Sequence, residues 1–125
     1  MSLPDLIPDI RAHLNQVLGI PVVMVRPEQS GTTPPPSRFV LLIPTGGAGR
    51  FSRVIHGIQL TIDAYGPTGG TARTVALELD NAMYRLPVSA LPIAKVTGST
   101  PAADVDPDTN QPRYTATYQL TTITH

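Results

Sequence analysis

The chain has no cysteine and no tryptophan, and only two phenylalanines and four tyrosines among 125 residues. Without cysteine there is no disulfide, no thiolate nucleophile and no thiolate metal ligand. Charge is scarce too. Nine basic residues face nine acidic ones, together 14% of the chain, and the formal net charge is zero. Such a balance provides no long-range field for capturing nucleic acid or an anionic membrane, so no specific nucleic-acid readout is expected. No apolar run approaches the ~20 residues that a bilayer span requires, so no membrane partner is expected either. The start Met1-Ser2-Leu3-Pro4-Asp5 has neither a basic n-region nor an apolar h-region, so no signal peptide is expected. An ordinary surface carries more charge than this one, which points to a surface partly covered by partners.

What the chain does have is proline (14), glycine (10) and much threonine. The organising stretch is Arg53 to Leu86. Ile58, Leu60, Ile62 and Ala64 alternate with Gln59, Thr61, Asp63 and Tyr65, the pattern of a strand with one buried face. Gly66-Pro67 stops it. Thr71 then serves as N-cap, and Ala72, Val75, Ala76, Leu79, Ala82, Met83 and Leu86 recur at helical spacing before Pro87 ends the run.

The remaining segments attach to this unit. Pro4 to Leu18 reads as an amphipathic helix whose apolar stripe includes Leu3, Leu6, Ile7, Ile10, Leu14, Val17 and Leu18, with Gly19 as stop and Pro21 beyond it. Val22 to Arg26 reads as a short strand, and Pro27 to Ser37 as a stiff proline-bearing loop. Phe39 to Ile43 reads as a strand closed by Pro44. Thr45 to Arg50 reads as a glycine-rich turn leading into the long strand, so the two strands form a hairpin. Val88 to Pro92 is a connection, Ile93 to Thr97 a strand, and Gly98 to Pro112 a long polar loop. Tyr114 to Thr124 is the last strand, with Tyr114, Ala116, Tyr118 and Leu120 on one face. The sum is one α+β domain over residues 1–125, in the order α-β-β-β-α-β-β. Its mostly antiparallel sheet has about five strands, and two helices pack on one face.

Chemistry-bearing constellations are weak. Asp104, Asp106, Asp108 and Asn110 alternate like the start of a calcium loop, but Thr109 stands where glycine is needed and Thr115 where a bidentate glutamate is needed. A turn-rich loop explains them, since aspartate and asparagine bond their own backbone. His13, His56 and His125 have no metal-ligand spacing. The Thr45–Arg50 loop lacks the Gly-Lys-Ser/Thr ending and joins strand to strand, so it does not fit a phosphate cradle. No serine sits in a Gly-x-Ser-x-Gly elbow. No metal, no cofactor and no enzymatic activity are expected. Arg38, Arg50 and Arg53 gather around the hairpin and read as rim residues that pair with carboxylates.

The order of these pieces resembles the tail terminator (tail-completion, or head–tail connector) proteins of phages with long non-contractile tails. The residues carrying the resemblance are the N-terminal helix with its valine-rich strand, Ser37-Arg38-Phe39-Val40, the Gly-Gly-Ala-Gly-Arg hairpin, and Ile62-Asp63-Ala64-Tyr65-Gly66 entering an alanine-rich helix. The closing Asp106-Pro107-Asp108-Thr109-Asn110-Gln111-Pro112-Arg113-Tyr114 is the most specific piece. The resemblance implies a structural virion protein located at the head–tail junction and assembled in the host cytoplasm. It implies a homo-oligomeric, hexameric ring that caps the tail tube, stops its polymerisation and joins it to head-completion proteins. The alternative is another neck or head-completion adaptor, or a tail-tube-like subunit. By the same resemblance Arg50, Phe51 and Arg53 are expected at a ring or tube contact. Pro34, Pro35, Pro36, Arg38, Asp106, Asp108 and Arg113 are expected in partner-facing loops.

Overall fold

The computed structural model describes residues 6–25, 37–50 and 55–123, with 47–50 and 55–56 described by backbone alone. The elements are α1 (Ile7–Leu18), β1 (Val22–Val23), β2 (Phe39–Arg50), β3 (Ile55–Tyr65), α2 (Gly69–Tyr84), β4 (Ile93–Gly98), β5 (Ala102–Val105) and β6 (Pro112–Ile123), with a single 3-10 turn at Leu86–Val88. The sheet runs β1-β2-β3-β6-β4, and β5 also pairs with β6. Only β1–β2 is parallel. The α+β class and the mostly antiparallel sheet agree with the sequence reading. Pro4, the 26–36 segment with Pro34, Pro35 and Pro36, Phe51, Arg53 and His125 lie outside the described residues.

Alternation explains the layers. Val40, Leu42, Leu60, Ile62, Ala64, Ala116, Tyr118 and Leu120 line one face of the sheet and are buried together with Ile10 and Leu14 of α1 and Val75, Ala76, Leu79 and Met83 of α2. This is the main core, and both helices contribute to it. Phe39, Leu41 and Tyr65 occupy the intervening positions and form a second, smaller cluster on the opposite face.

Four boundaries differ from the sequence reading, each for a physical reason. First, α2 begins earlier. Thr68 is extended (φ −134°, ψ 164°), and its hydroxyl accepts the Thr71 N–H at 3.2 Å. Thr68 and Thr71 offer the same capping chemistry one turn apart, and Gly69 and Gly70 belong to the helix instead of preceding it. The helix also ends before Leu86. The Arg85 N–H turns back to the Ala82 carbonyl at 3.2 Å, and Pro87 enforces the 3-10 turn.

Second, β2 does not stop at Pro44. It continues through the glycine-rich segment to Arg50, with register shifts between Pro44 and Gly46 and between Gly46 and Gly49. Beyond Leu41 no described strand lies on the outer side of β2, and proline is tolerated on such an edge. Gly46 adopts φ 99°, a conformation that side chains resist, and it absorbs the bulge. Third, β1 covers only Val22 and Val23, shorter than the β-branched run suggests. Fourth, the stretch from Gly98 to Pro112 is not one loop, because Ala102–Val105 pairs with Pro112–Thr115.

β4 and β5 follow the same side of β6 and form one interrupted edge. Ser99 bridges the interruption. Its N–H donates to the Thr117 carbonyl at 3.0 Å, and its hydroxyl accepts the Thr117 N–H at 3.0 Å. Tyr118 of β6 fastens this edge to α2. Its hydroxyl donates to Asp80 at 2.7 Å, its ring meets Tyr84 edge-on at 6.2 Å, and the Tyr84 hydroxyl reaches the Gly98 carbonyl at 3.4 Å. Burial and the adjacent carboxylate push the Tyr118 phenol well above its ordinary range.

Gly98 is fixed by this ring. A Cβ placed there would lie 2.4 Å from the Tyr118 ring. Gly98→Ala is therefore expected to displace Tyr118 and to destabilise the domain by about 1–3 kcal/mol, measured as a shift in the urea midpoint at an unchanged m-value.

Candidate functional site

The sheet face opposite the helices carries the densest polar cluster among the described residues. Cross-strand register aligns Phe39 of β2, Tyr65 of β3, Arg113 of β6 and Asp104 of β5 in one row. Phe39 and Tyr65 stack at 4.4 Å with rings 10° apart. Beyond them stands Arg113, whose side chain is only 17% exposed. Its Nη2 lies 2.8 Å and its Nε 3.1 Å from the same Asp104 oxygen. Its Nη1 lies 3.5 Å from Asp63, 3.2 Å from the Tyr65 hydroxyl and 4.0 Å from Asp106.

Asp106 completes the cluster and is fully buried. One carboxylate oxygen accepts the Tyr65 hydroxyl at 2.9 Å. The other accepts the N–H groups of Asp108 (2.8 Å) and Thr109 (3.4 Å). The turn closes through the Asn110 N–H to the Asp106 carbonyl at 2.7 Å and the Asp106 N–H to the Gln111 carbonyl at 3.1 Å, with Asn110 left-handed at φ 58°. Asparagine accepts that conformation more readily than most residues. The β5–β6 hairpin tip is thus folded on its own backbone and fastened to β3 through one tyrosine.

The electrostatics suit a fixed structure. Hydrogen bonds from Arg113 and from the Val105 N–H hold the Asp104 carboxyl below its ordinary range. Burial, outweighing the opposing Arg113, raises the Tyr65 phenol. Hydrogen bonds to Tyr65 and Asp104, with the nearby Asp63, hold the Arg113 guanidinium in its charged form against the opposing effect of burial. None of these three groups changes protonation near neutral pH, whereas general acid–base work is best served by a group that does. The guanidinium occupies the space between the carboxylates, and among the described residues no set of three or more His, Asp or Glu is arranged to hold a metal ion.

The structure redistributes the residues singled out in the sequence. Asp106, expected in an exposed loop, is turned inward and fully buried. Arg113 lies in β6 instead of in a loop, with most of its side chain covered. Asp108 is exposed at the hairpin tip and Arg38 is exposed just before β2. A 3.5 Å bond from Gln111 Nε2 to the Ser37 carbonyl places these two segments at the same end of the sheet. Arg38 and Arg50 do not cluster, since they flank and end the same strand, up to about 40 Å apart by strand rise. Arg50 pairs with His56 in the backbone ladder. Phe51, Arg53, Pro34, Pro35 and Pro36 are outside the described residues. Asp104, read in the sequence with the loop aspartates, lies in β5, and Asp63 and Tyr65 were not expected at a contact. The one legible signal for Asp63 is its carboxylate within a strand, which must find a partner if it is buried.

No protein-family model matches this chain, and no curated protein is significantly similar to it.

Removing the guanidinium leaves three carboxylates facing one another, two of them buried. Arg113→Ala is expected to lower stability on the order of 3 kcal/mol, and Tyr65→Phe by about 1–3 kcal/mol, because Asp106 loses a donor. The depressed Asp104 carboxyl works in one direction. Its contribution is present above the unfolded value near 3.8 and is lost as pH falls through the lower folded value. In urea titrations across the acid range, the stability gap between the native chain and Asp104→Asn should shrink as pH drops below about 4.

Proposed function

We propose that this chain is a structural subunit that joins copies of itself into a closed ring capping a phage tail tube, stopping tube growth and presenting a surface to head-completion proteins. The observation that carries this reading is the state of the sheet margins. On one side β2 has no described neighbour beyond Leu41, and on the other β4 and β5 have no described strand partner but β6. All four residues of β5 are exposed. Open strand edges recruit further strands, and two unlike edges on one molecule suit head-to-tail joining that closes when the rotation permits.

Three features support the reading. The order of segments resembles tail terminators along nearly the whole chain. The β5–β6 tip, with Asp108, and the Arg38 segment lie together at one end of the sheet, a compact face for a neighbour in the virion. The fixed protonation of Asp104, Tyr65 and Arg113 suits a scaffold that presents surfaces and does not turn over a substrate. In this reading the partners are the tail tube protein and a head-completion protein, and the site of action is the head–tail junction.

Light scattering on the purified protein, followed by electron microscopy with isolated tail tubes, tests the proposal. A closed oligomer of about six chains, or a ring at one end only of each tube, is the expected result. Open-ended polymers, or a protein that leaves tube ends bare, would overturn it.

A further inference from the structure

α2 turns one side to the sheet and another to solvent. The outward stripe is Thr74, Leu77, Asn81 and Tyr84, spaced three, four and three residues apart and exposed at every position. This is the spacing of a two-helix seam. Its apolar members remain uncovered, Leu77 at 43% and Tyr84 at 47% exposure, and Val17 on the adjacent α1 is 57% exposed. Between α1 and α2 runs an open groove of about 370 Å³, walled by Val17 and Leu18, floored by Ala82 and rimmed by Glu78, Asn81 and Arg85. Neither Glu78 nor Arg85 forms an ion pair with another described residue.

The order of these charges selects an occupant. Glu78 in α2 and Arg85, the C-cap of the same helix, stand seven residues apart, about 10 Å along the axis. Their midpoint falls at Asn81 and Ala82. A two-fold rotation about that point exchanges the two positions, so opposite charges meet twice and like charges never do. An unrelated partner would not require this antisymmetry, whereas a second copy of the same helix does.

We propose that α2 packs antiparallel against α2 of a second copy, about a two-fold axis near Asn81 and Ala82. Glu78 of each copy faces Arg85 of the other, and Leu77 and Val17 are covered at the flanks. Asn81, the polar residue at the axis, sets the register by disfavouring slipped alignments. The contact uses only the helical layer. It does not involve either sheet margin, so it is independent of the ring and compatible with it.

Charge reversal tests the pairing. Glu78→Arg on the helix surface and Arg85→Glu at its C-cap are both exposed changes, and far-UV circular dichroism should show both variants folded. By light scattering the wild type is expected at twice the mass of each single variant: two chains against one where no ring forms, and two paired rings against one ring of about six chains where it does. An equimolar mixture of the two single variants restores the pair, because every cross-contact is again between opposite charges, and the E78R/R85E double variant restores it alone. A wild type that remains a single chain at its highest soluble concentration would overturn the proposal. So would folded single variants of unchanged mass, or a mixture that stays at half mass. A wild type that stops at two chains would count against the ring and in favour of this contact, so the two ideas fail separately.

Discussion

One guanidinium governs the open face of this protein. Arg113 lies among Asp63, Asp104 and Asp106, three carboxylates brought together from β3, β5 and the β5–β6 turn. Without it, strand pairing would force like charges together on a face that is largely covered. With it, the same carboxylates join the β5–β6 hairpin to β3, a strand distant in sequence. The fully buried Asp106 is the most demanding of them, and it also organises its own turn through two backbone N–H groups. Side-chain charge and backbone satisfaction are therefore settled by the same few atoms. A cluster of this kind can cost more in desolvation than it returns in attraction. What it provides here is a single arrangement of the β5–β6 hairpin relative to the sheet.

The opposite face depends on a different physics. There the sheet and both helices exclude water from one continuous apolar core, and the polar contacts sit at its rim. Tyr118 illustrates the division. Its ring is part of the core, while its hydroxyl reaches out to Asp80 on α2. The ring also leaves no room for a side chain at Gly98. The two faces thus meet at β6, which contributes Arg113 to one and Tyr118 to the other.

Much of the core could be read from the sequence, because periodicity reports burial directly. The alternation from Ile58 to Tyr65 and the stripe from Ala72 to Met83 appear where they were expected. The cluster was hidden for the same reason. Asp63 and Tyr65 fall on the polar phase of their strand and look like solvent-facing residues. Only a cross-strand neighbour 48 residues away from Tyr65 reveals that they are covered. The errors at Pro44 and at Ala102–Val105 have a common cause. Proline, glycine and aspartate mark turns on average, but a sheet margin tolerates all three because half of its hydrogen-bonding groups have no strand to serve.

The position of β6 also bears on how the sheet comes into being. It is the last strand in chain order, yet it lies inside the sheet, paired along its length with β3 on one side and with β4 and β5 on the other. During synthesis, every earlier strand on that side emerges before the partner it needs. β4, β5 and the outer edge of β3 must wait unpaired until residues 112–123 leave the ribosome, and only then can long-range pairing close the structure. Cooperative folding is therefore deferred until β6 has emerged. The nascent chain is most prone to off-pathway strand association in the interval before β6 arrives.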